Sequence, residues 1–357
     1  AGTREVKAAD KAKIGVLVAD VSGEEAQGFR SYYENYIAGN YDVEFNYTDA
    51  LQSAEDEKTA IEKFASQGCQ AIISFSSNDR VQQIETCEKY GVYYAVASGV
   101  LDDAQYETYK TYEYFAGQVG PGNDTEFEAG KDMGAYYKEQ GVSKVAIYGA
   151  FIPNPMHVYR VAGVLNGLGC TYGGESDMNA IAGQIFQDQT VDLSKVEGDV
   201  EVVSYLQGYG DTTTDELNAA IQKTPDAFIS VGMATTFFAQ SLSEAGISFS
   251  DIDSFTETNG NSMKNGTLTY LAGKYSSSIG PVFALVMNAI NGNVIRDEDG
   301  NAPSISQGYL VATDSDTFDK YSVSDSGDAP IYDKETLDSI IGDNVTFEDV
   351  KTLVESK

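Results

Sequence analysis

The feature that most constrains the fold is an alternation of short apolar runs with helical segments, which occurs twice along the chain. In the first half, residues 14–19, 71–75 and 92–96 form strand-length runs rich in Val, Ile and Ala. Between these runs apolar residues recur at helical spacing, as in 60–65, and glycines such as Gly91 follow the helices. This order predicts strands that alternate with helices.

The same rhythm restarts in the second half of the chain. Residues 144–148, 200–205, 227–231 and 252–257 are again short apolar runs separated by helical patterns. Parallel strands that are buried on both faces have this continuous apolar character, and the helices between them cover the sheet. The sequence therefore predicts an α/β protein with two doubly wound, Rossmann-like domains.

The end of the chain is less regular. An apolar helix is predicted at 277–291, a hairpin with its tip at Asp299 at 294–303, a strand at 308–312 and a closing helix at 347–354. The first residues, 1–12, are expected to form a flexible leader.

Charge and hydropathy exclude several classes of function. The chain of 357 residues has 55 Asp and Glu against 23 Lys and Arg, a formal net charge of −32. This charge repels nucleic acids and anionic lipid surfaces. No apolar run approaches the roughly 18 residues of a membrane span.

Catalytic and metal-binding motifs are not found. The single histidine, His157, has no nucleophile of a known motif beside it in sequence, and zinc-protease, phosphate-loop and dinucleotide patterns are missing. Residues 297–301 resemble a calcium loop but lack its ligand spacing, and an exposed acidic turn is the favoured interpretation. We therefore expect a protein that is not an enzyme, with no catalytic residues, no metal site and no cofactor.

The three cysteines match no zinc or redox spacing. Cys69 and Cys87 could lie near the same end of the first sheet and form a disulfide, but three buried thiols, including Cys170, are the favoured interpretation.

Polar and aromatic side chains follow the predicted strands, where ligands bind open α/β sheets. Uncharged hydrogen-bonding groups with aromatics and few charges suit a small polar ligand. The candidates are Asp20, Ser76, Asn78 and Ser98 in the first half and Phe151, His157, Arg160, Tyr209, Met233, Thr235, Asn259 and Lys274 in the second.

The segment FIPNPMHVYR, 151–160, contains the only histidine and two of the seven prolines. An arginine in the first turn of a helix opposes the helix dipole, which suggests another role for Arg160. We expect His157 or Arg160 to contact the ligand, so that Arg160→Ala weakens binding more than folding. Phe151 and Tyr209 could equally be packing residues, and Thr235 a helix cap.

Four segments, taken in their order along the chain, resemble the motifs of one known family. AIISFSSND (71–79) is similar to the family's third strand and its ligand loop. RVAGV (160–164) resembles the R-x-x-G-F turn, and SFTETNG (254–260) resembles a strand ending in aspartate and glycine, with Asn259 in the aspartate's place. GTLTY (266–270), followed by Gly280 and the apolar helix, is similar to the family's return to its first lobe. Together these segments resemble the type I periplasmic binding proteins, specifically the ribose/galactose-like sugar-binding group of ABC transporter solute receptors. The resemblance covers residues 13 to about 320.

Two departures weaken the resemblance to sugar binders. Residues 20–27 replace an asparagine and paired aromatics after the first strand, and 233–235 replace an asparagine–aspartate pair. Both changes remove groups that hold sugar hydroxyls. FIPNPMHVYR also resembles the nucleoside-binding lipoprotein branch of the same superfold, so a nucleoside stays an alternative ligand.

The resemblance implies two lobes joined by three crossovers that close as a hinge on a small polar solute, a sugar being favoured. The lobes are expected at 13–118 with 262–308 and at 122–258 with 309–357, and the crossovers near 118–123, 259–261 and 308–314. The implied protein is an extracytoplasmic monomer, periplasmic or lipid-anchored, whose partner is an ABC transporter permease.

Two other classes of protein have to be considered. A ligand-sensing ectodomain of a membrane receptor has the same fold and stays open. A DNA-binding regulator needs a basic helix-turn-helix before the first strand, and an enzyme needs a clustered nucleophile and base, neither of which the sequence offers.

Overall fold

The computed structural model describes residues 11–326 and 329–357. Residues 1–10 of the predicted leader lie outside the described residues, and Ala12 already belongs to the first strand.

The strands, in chain order, are β1 Ala12–Leu17, β2 Val43–Tyr47, β3 Ala71–Ser74, β4 Tyr93–Ala97, β5 Phe115–Gly120, β6 Lys144–Tyr148, β7 Thr171–Tyr172, β8 Val196–Glu197, β9 Glu201–Leu206, β10 Ala227–Ser230, β11 Phe249–Ser254, β12 Leu268–Lys274, β13 Ser304–Ser306 and β14 Leu310–Ala312.

The α-helices are α1 Glu24–Ser31, α2 Ala38–Asn40, α3 Ala54–Ser66, α4 Arg80–Tyr90, α5 Asp103–Tyr109, α6 Asn123–Glu139, α7 Pro155–Gly167, α8 Met178–Asp188, α9 Asp211–Gln222, α10 Ala234–Phe237, α11 Ala239–Ala245, α12 Glu257–Lys264, α13 Gly280–Ile290, α14 Ser315–Ser326, α15 Lys334–Asp338 and α16 Phe347–Glu355. A π-helical segment, Tyr32–Ile37, joins α1 to α2.

The chain divides into two compact units. Unit 1 contains the described residues up to Gly120, Ser276–Gln307 and the described residues from Ser324 onward, and unit 2 contains Pro121–Tyr275 and Gly308–Val323. Among the described residues, unit 1 holds a sheet in the order β13-β5-β4-β3-β1-β2 and unit 2 a sheet in the order β14-β12-β11-β10-β6-β9. Neighbouring strands in these two sheets are parallel, apart from β12 and β14, which are antiparallel. The carboxyl ends of the parallel strands therefore lie along one edge of each sheet.

Helices cover both faces of the unit 1 sheet. On one face, Gly15 and Leu17 point towards α3, and a Cβ at Gly15 would touch Phe64 of that helix. Phe64 belongs to a buried cluster that also contains Leu17, Ile72 and Tyr94. On the opposite face the ring of Phe45, next to Ile14 in register, packs against Phe283 of the apolar helix α13. Burial on both faces explains why the strand sequences are continuous apolar runs.

Two segments lie in a different unit from the predicted one. Residues 262–275 belong to unit 2 because β12 pairs with β11 there. The chain from Ser324 belongs to unit 1, where the Tyr41 hydroxyl donates to Asp338 and Asn288 donates to the Ile340 carbonyl. The chain therefore passes between the units after Gly120, Tyr275, Gln307 and Val323, and not near 259–261.

Three smaller expectations can be compared with the structure. The predicted hairpin is instead a turn, because the Asp297 carboxylate accepts the N–H groups of Asp299 and Asn301 and β13 pairs in parallel with β5. The predicted closing helix is confirmed by α16. Cys69, Cys87 and Cys170 are free and buried, so the disulfide between the first two is not formed.

Candidate functional site

The candidate residues of unit 1 follow three neighbouring strands at one edge of the sheet. Asp20 follows β1, Ser76 and Asn78 follow β3, and Ser98 follows β4. The fold thus brings these four sequence-predicted residues to the same sheet edge.

The loop after β3 is held by a buried carboxylate that the sequence did not single out, Glu57 of α3. Glu57 accepts a short hydrogen bond from the Ser76 hydroxyl and bonds from the N–H groups of Asn78 (3.0 Å) and Asp79 (2.8 Å). Burial by itself would raise the pKa of Glu57, but the hydrogen bonds from Ser76, Gln83 and the loop outweigh it and lower the pKa. Ser76 therefore fixes the loop, while the side chain of Asn78 is exposed.

Asp20 is engaged with its own turn. Its carboxylate accepts the N–H groups of Ser22 (2.9 Å) and Gly23 (3.2 Å) just before α1. The hydrogen bond from the Ser22 N–H is the main cause of its lowered pKa, so Asp20 stays ionised.

The most exposed aromatic side chain among the described residues lies at the carboxyl edge of the unit 2 sheet. Tyr209, after β9, is 69% exposed and stacks on Phe237 at a centroid distance of 5.3 Å and an interplanar angle of 7°. Phe151, after β6, meets Tyr209 edge-on at 5.9 Å. Sequence analysis singled out Phe151 and Tyr209 and missed Phe237, which belongs to the short helix α10. We call these three residues the aromatic cluster.

His157 lies beside this cluster as a neutral hydrogen-bond donor. Its Nδ1 accepts the Phe151 N–H at 3.1 Å, so the proton of the neutral ring is on Nε2. Burial, and then the charge of Arg160, lower the pKa of His157 to about 4. Nε2 would be 3.5 Å from a Cβ at Gly232, so it lies close to the turn after β10.

Arg160 is an interior residue and not an extended ligand-binding side chain. It lies in the second turn of α7, is only 4% exposed, and forms an ion pair through Nε with Glu126 of α6 at 2.9 Å. Nη1 donates to the Val231 carbonyl at 2.9 Å and Nη2 to the Tyr309 hydroxyl at 2.8 Å, while that hydroxyl donates a short hydrogen bond to Glu126. Three of its nitrogens thus have partners inside unit 2.

The segment after β10 is also held by hydrogen bonds to side chains of unit 2. The Thr235 N–H donates to Asp251 at 2.9 Å, and the Thr235 hydroxyl donates to Asn259 at 2.7 Å. Asn259 is fully buried in α12, where its amide donates to Asp253 and to the Ser254 carbonyl. Asn259 therefore supports the turn and belongs neither to a crossover nor to an exposed edge.

Met233, in contrast, is exposed at the start of α10, and Lys274 is half-buried at the end of β12. Beneath this turn, burial and then the charge of Asp253 raise the pKa of Asp251 to about 7.

Backbone strain occurs at three of the strand ends. Ser98 after β4, Ala150 after β6 and Met233 after β10 have φ values of 54°, 52° and 66°, in the left-handed region that favours glycine. Residues with a Cβ hold this conformation only where their surroundings enforce it, and such residues cluster at functional sites. The strain supports these edges as the functional part of each unit.

A cleft of about 480 Å³ lies elsewhere, at the amino ends of β6 and β10, lined by residues that include Tyr137, Ser143, Asp226 and Thr269. Its polar groups already pair with each other: Asp226 accepts the Ser143 N–H at 2.8 Å and Tyr137 bonds Thr269 at 2.7 Å. We therefore place the candidate site at the carboxyl edges.

Metal-ligating clusters and membrane-spanning helices are both missing from the described part of the chain. Residues 11–326 and 329–357 contain no group of three or more His, Cys, Asp or Glu side chains arranged to hold a metal ion. None of the helices formed by these residues combines the length and the apolar character needed to cross a bilayer.

Solved structures with a similar fold are solute-binding proteins of transporters. The ABC transporter periplasmic solute binding protein from Actinobacillus succinogenes 130z with bound D-allose is 16% identical, with a TM-score of 0.63 over 87% of this chain and 100% of that chain. The ABC transporter solute binding protein from Bacillus halodurans C-125 with bound myo-inositol is 16% identical, with a TM-score of 0.59 over 87% and 97%. The binding protein of the arabinose ABC transporter from Shewanella sp. ANA-3 is 15% identical, with a TM-score of 0.58 over 87% and 94%.

No protein-family model matches the chain, and no curated protein matches it in sequence. At 15–16% identity the structural similarity defines the fold. The chain has the two-lobe α/β fold of type I periplasmic binding proteins, which confirms the predicted fold class.

Proposed function

We propose that the protein is an extracytoplasmic receptor that binds a sugar or a sugar-like solute and delivers it to an ABC importer. The observation that carries this proposal is the aromatic cluster at the carboxyl edge of the unit 2 sheet, where Tyr209 presents an exposed ring between Phe151 and Phe237. Rings of this kind offer apolar contact area together with a polar hydroxyl, which suits a ligand with both apolar and hydroxyl surfaces.

The polar groups near the cluster fit an uncharged part of such a ligand. The Nε2–H of His157 is a neutral donor, and the charge of Arg160 is compensated by Glu126. Donors of this type bind ligand hydroxyl groups without requiring a charge on the ligand.

The mechanism we propose is hinge closure of the two units on the solute, without chemical conversion. A ligand that contacts both sheet edges binds the closed form more tightly and shifts the population towards it. The closed form then docks on the importer's permease, and the protein is periplasmic or lipid-anchored on the outer face of the membrane. The fold shared with transporter receptors supports this proposal.

A nucleoside is the second candidate ligand, and the stacked pair of Tyr209 and Phe237 favours it. The flat face of a nucleobase stacks on aromatic rings as well as a sugar face does.

Calorimetric titration with neutral sugars, myo-inositol and nucleosides tests both candidates. We expect one sugar or polyol to bind, and we expect Tyr209→Ala to weaken that binding by about tenfold or more because a central aromatic contact is lost. Tyr90→Ala is the matched control, since Tyr90 is also exposed but lies in unit 1 and bonds Glu62. Binding of nucleosides alone would establish the second candidate, and no binding by any probe would contradict the proposal.

A further inference from the structure

One arginine of unit 1, Arg80, occupies an unusual position at the carboxyl edge of the sheet. It is the first residue of α4, directly after the loop that follows β3, and its side chain reaches the segment after β4. A positive charge at the first position of a helix opposes the helix dipole and has to be stabilised by another interaction. Sequence analysis applied this argument to Arg160, but the structure shows that it applies to Arg80.

The contacts of Arg80 leave most of its hydrogen-bonding capacity unused. Nη1 donates to the Val100 carbonyl at 3.0 Å, and Nε is buried without a hydrogen-bond partner. Within the described residues, no carboxylate oxygen lies within 4 Å of Arg80. A half-buried guanidinium with one bonded nitrogen is incompletely satisfied, because it offers five N–H donors.

The other described arginines are compensated. Arg160 pairs with Glu126, Arg30 pairs with Glu34, and Arg296 donates to the carbonyls of Lys110, Tyr112 and Glu113. In a chain with 55 acidic residues, a carboxylate partner for Arg80 would be easy to supply.

The backbone beside Arg80 is free of side chains at two positions. Its neighbour Gly99 has no side chain, and a Cβ there would be 3.3 Å from Nη2 of Arg80. Gly120, at the end of β5, also lacks a side chain, and a Cβ at that position would be 2.1 Å from the Gly99 nitrogen. Ser98, which precedes Gly99, has the strained φ of 54°. Gly99 therefore keeps a side chain away from Nη2 of Arg80, and Gly120 allows the segment at Gly99 to approach the end of β5.

We propose that Arg80 binds a carboxylate of the ligand, so that a sugar acid binds more tightly than the matching neutral sugar. The planar guanidinium forms two parallel hydrogen bonds with a carboxylate, and these are stronger than bonds between neutral groups. The proposal rests on the proposed function, because it specifies the ligand of the same receptor.

Matched pairs of a neutral sugar and its sugar acid test the carboxylate assignment separately from the proposed sugar-receptor function. D-glucose and D-glucuronate, and D-galactose and D-galacturonate, differ only in the group at carbon 6, and each is titrated calorimetrically into the full chain and into Arg80→Gln. We expect at least one uronate to bind more tightly than its neutral partner, and Arg80→Gln to weaken uronate binding by about tenfold or more. The neutral sugar should lose much less.

Two further variants control for structure. Arg30→Gln removes an exposed, paired arginine of the same unit. This change should alter neither the affinity for the uronate nor the affinity for the neutral sugar. Gly99→Ala crowds the guanidinium and should weaken uronate binding while Arg80 is kept. The thermal midpoint of each variant without ligand shows that it is folded.

The outcomes are distinct. Neutral sugars that bind as well as or better than uronates, with the ratio unchanged in Arg80→Gln, would overturn the carboxylate assignment and leave the sugar receptor in place. No binding by any sugar or uronate would overturn both.

Discussion

At the residue scale, Arg160 shows how a partner distant in sequence decides the role of a side chain. Its partners Glu126 and Tyr309 are separated from it by 34 and 149 positions, so no local pattern could reveal them. Burial raises the pKa of Tyr309 well above its usual value, so the hydroxyl stays protonated and can donate to Glu126. The group is an internally satisfied network in which each member needs the others.

Glu126→Gln should destabilise unit 2 by about 3–5 kcal/mol, because removing one partner leaves a buried charge uncompensated. The double variant Glu126→Leu/Arg160→Met should cost less than the sum of the single changes, since no buried charge is left. Urea denaturation followed by circular dichroism measures both, with the exposed pair variant Glu34→Gln, worth under about 1 kcal/mol, as the control. A cost for Glu126→Gln as small as that of the control would contradict the network. From these contacts we now expect Arg160→Ala to affect folding more than binding, the opposite of the sequence-based expectation.

Other residues could be placed from sequence. Phe151, Tyr209 and Met233 were assigned to strand ends because each follows an apolar run, and the structure places them there. Glu57 and Glu126 could not be singled out, because the sequence contains 55 acidic residues and burial is a property of the folded chain.

At the element scale, helices α6 and α7 pack with their backbones in contact. A Cβ at Gly130 of α6 would be 2.0 Å from the Arg160 carbonyl, and a Cβ at Gly163 of α7 would be 2.0 Å from the Phe127 carbonyl. Gly134 and Gly167 repeat the arrangement one turn later. This close approach is what allows Glu126 and Arg160 to form their buried ion pair.

Gly163→Ala should destabilise the protein by about 2–4 kcal/mol, because the new methyl group meets a backbone atom that cannot move aside without separating the helices. Gly183→Ala is the matched control: Gly183 lies inside α8, and apart from its two chain neighbours and the backbone of its own helix no described atom lies within 4 Å of the position that its new methyl group would take. The control change should therefore stabilise the protein by up to about 1 kcal/mol. Chemical denaturation of the two variants compares them directly. Equal stabilities would show that α6 and α7 are not in close contact.

The elements themselves were mostly predictable, since strands buried on both faces leave continuous apolar runs in the sequence. The hairpin at 294–303 was not, because hydrogen bonds within the Asp297 turn compete with strand pairing, and this competition has no periodic signature.

At the scale of the whole molecule, two α/β units were predictable from the repeated pattern, but the assignment of the later segments was not. Residues 262–275 and the chain from Ser324 are placed by pairing with β11 and by contacts of Tyr41 and Asn288. These contacts join positions as far apart as Tyr41 and Asp338, which are separated by 297 positions. Long-range pairing of this kind cannot be read from local periodicity.

The net charge of −32 is also a property of the whole chain and leads to a last prediction. Repulsion among unpaired carboxylates destabilises the compact state, and salt screens it, with a Debye length of about 30 Å at 0.01 M that falls to about 3 Å at 1 M. Exposed ion pairs such as Lys334–Asp338 weaken in salt too, but each contributes at most about 1 kcal/mol, so the repulsion dominates.

Raising NaCl from about 10 mM to about 0.5 M should therefore raise the thermal midpoint of the ligand-free protein by at least about 2 °C, the shift that roughly 1 kcal/mol produces in a chain of this size. Calorimetric scans in NaCl and in Na2SO4 at equal ionic strength separate screening, which the two salts share, from the additional exclusion effect of sulfate. A midpoint that stays constant or falls in NaCl would contradict this prediction and would mean that repulsion among the carboxylates does not limit the stability of the fold.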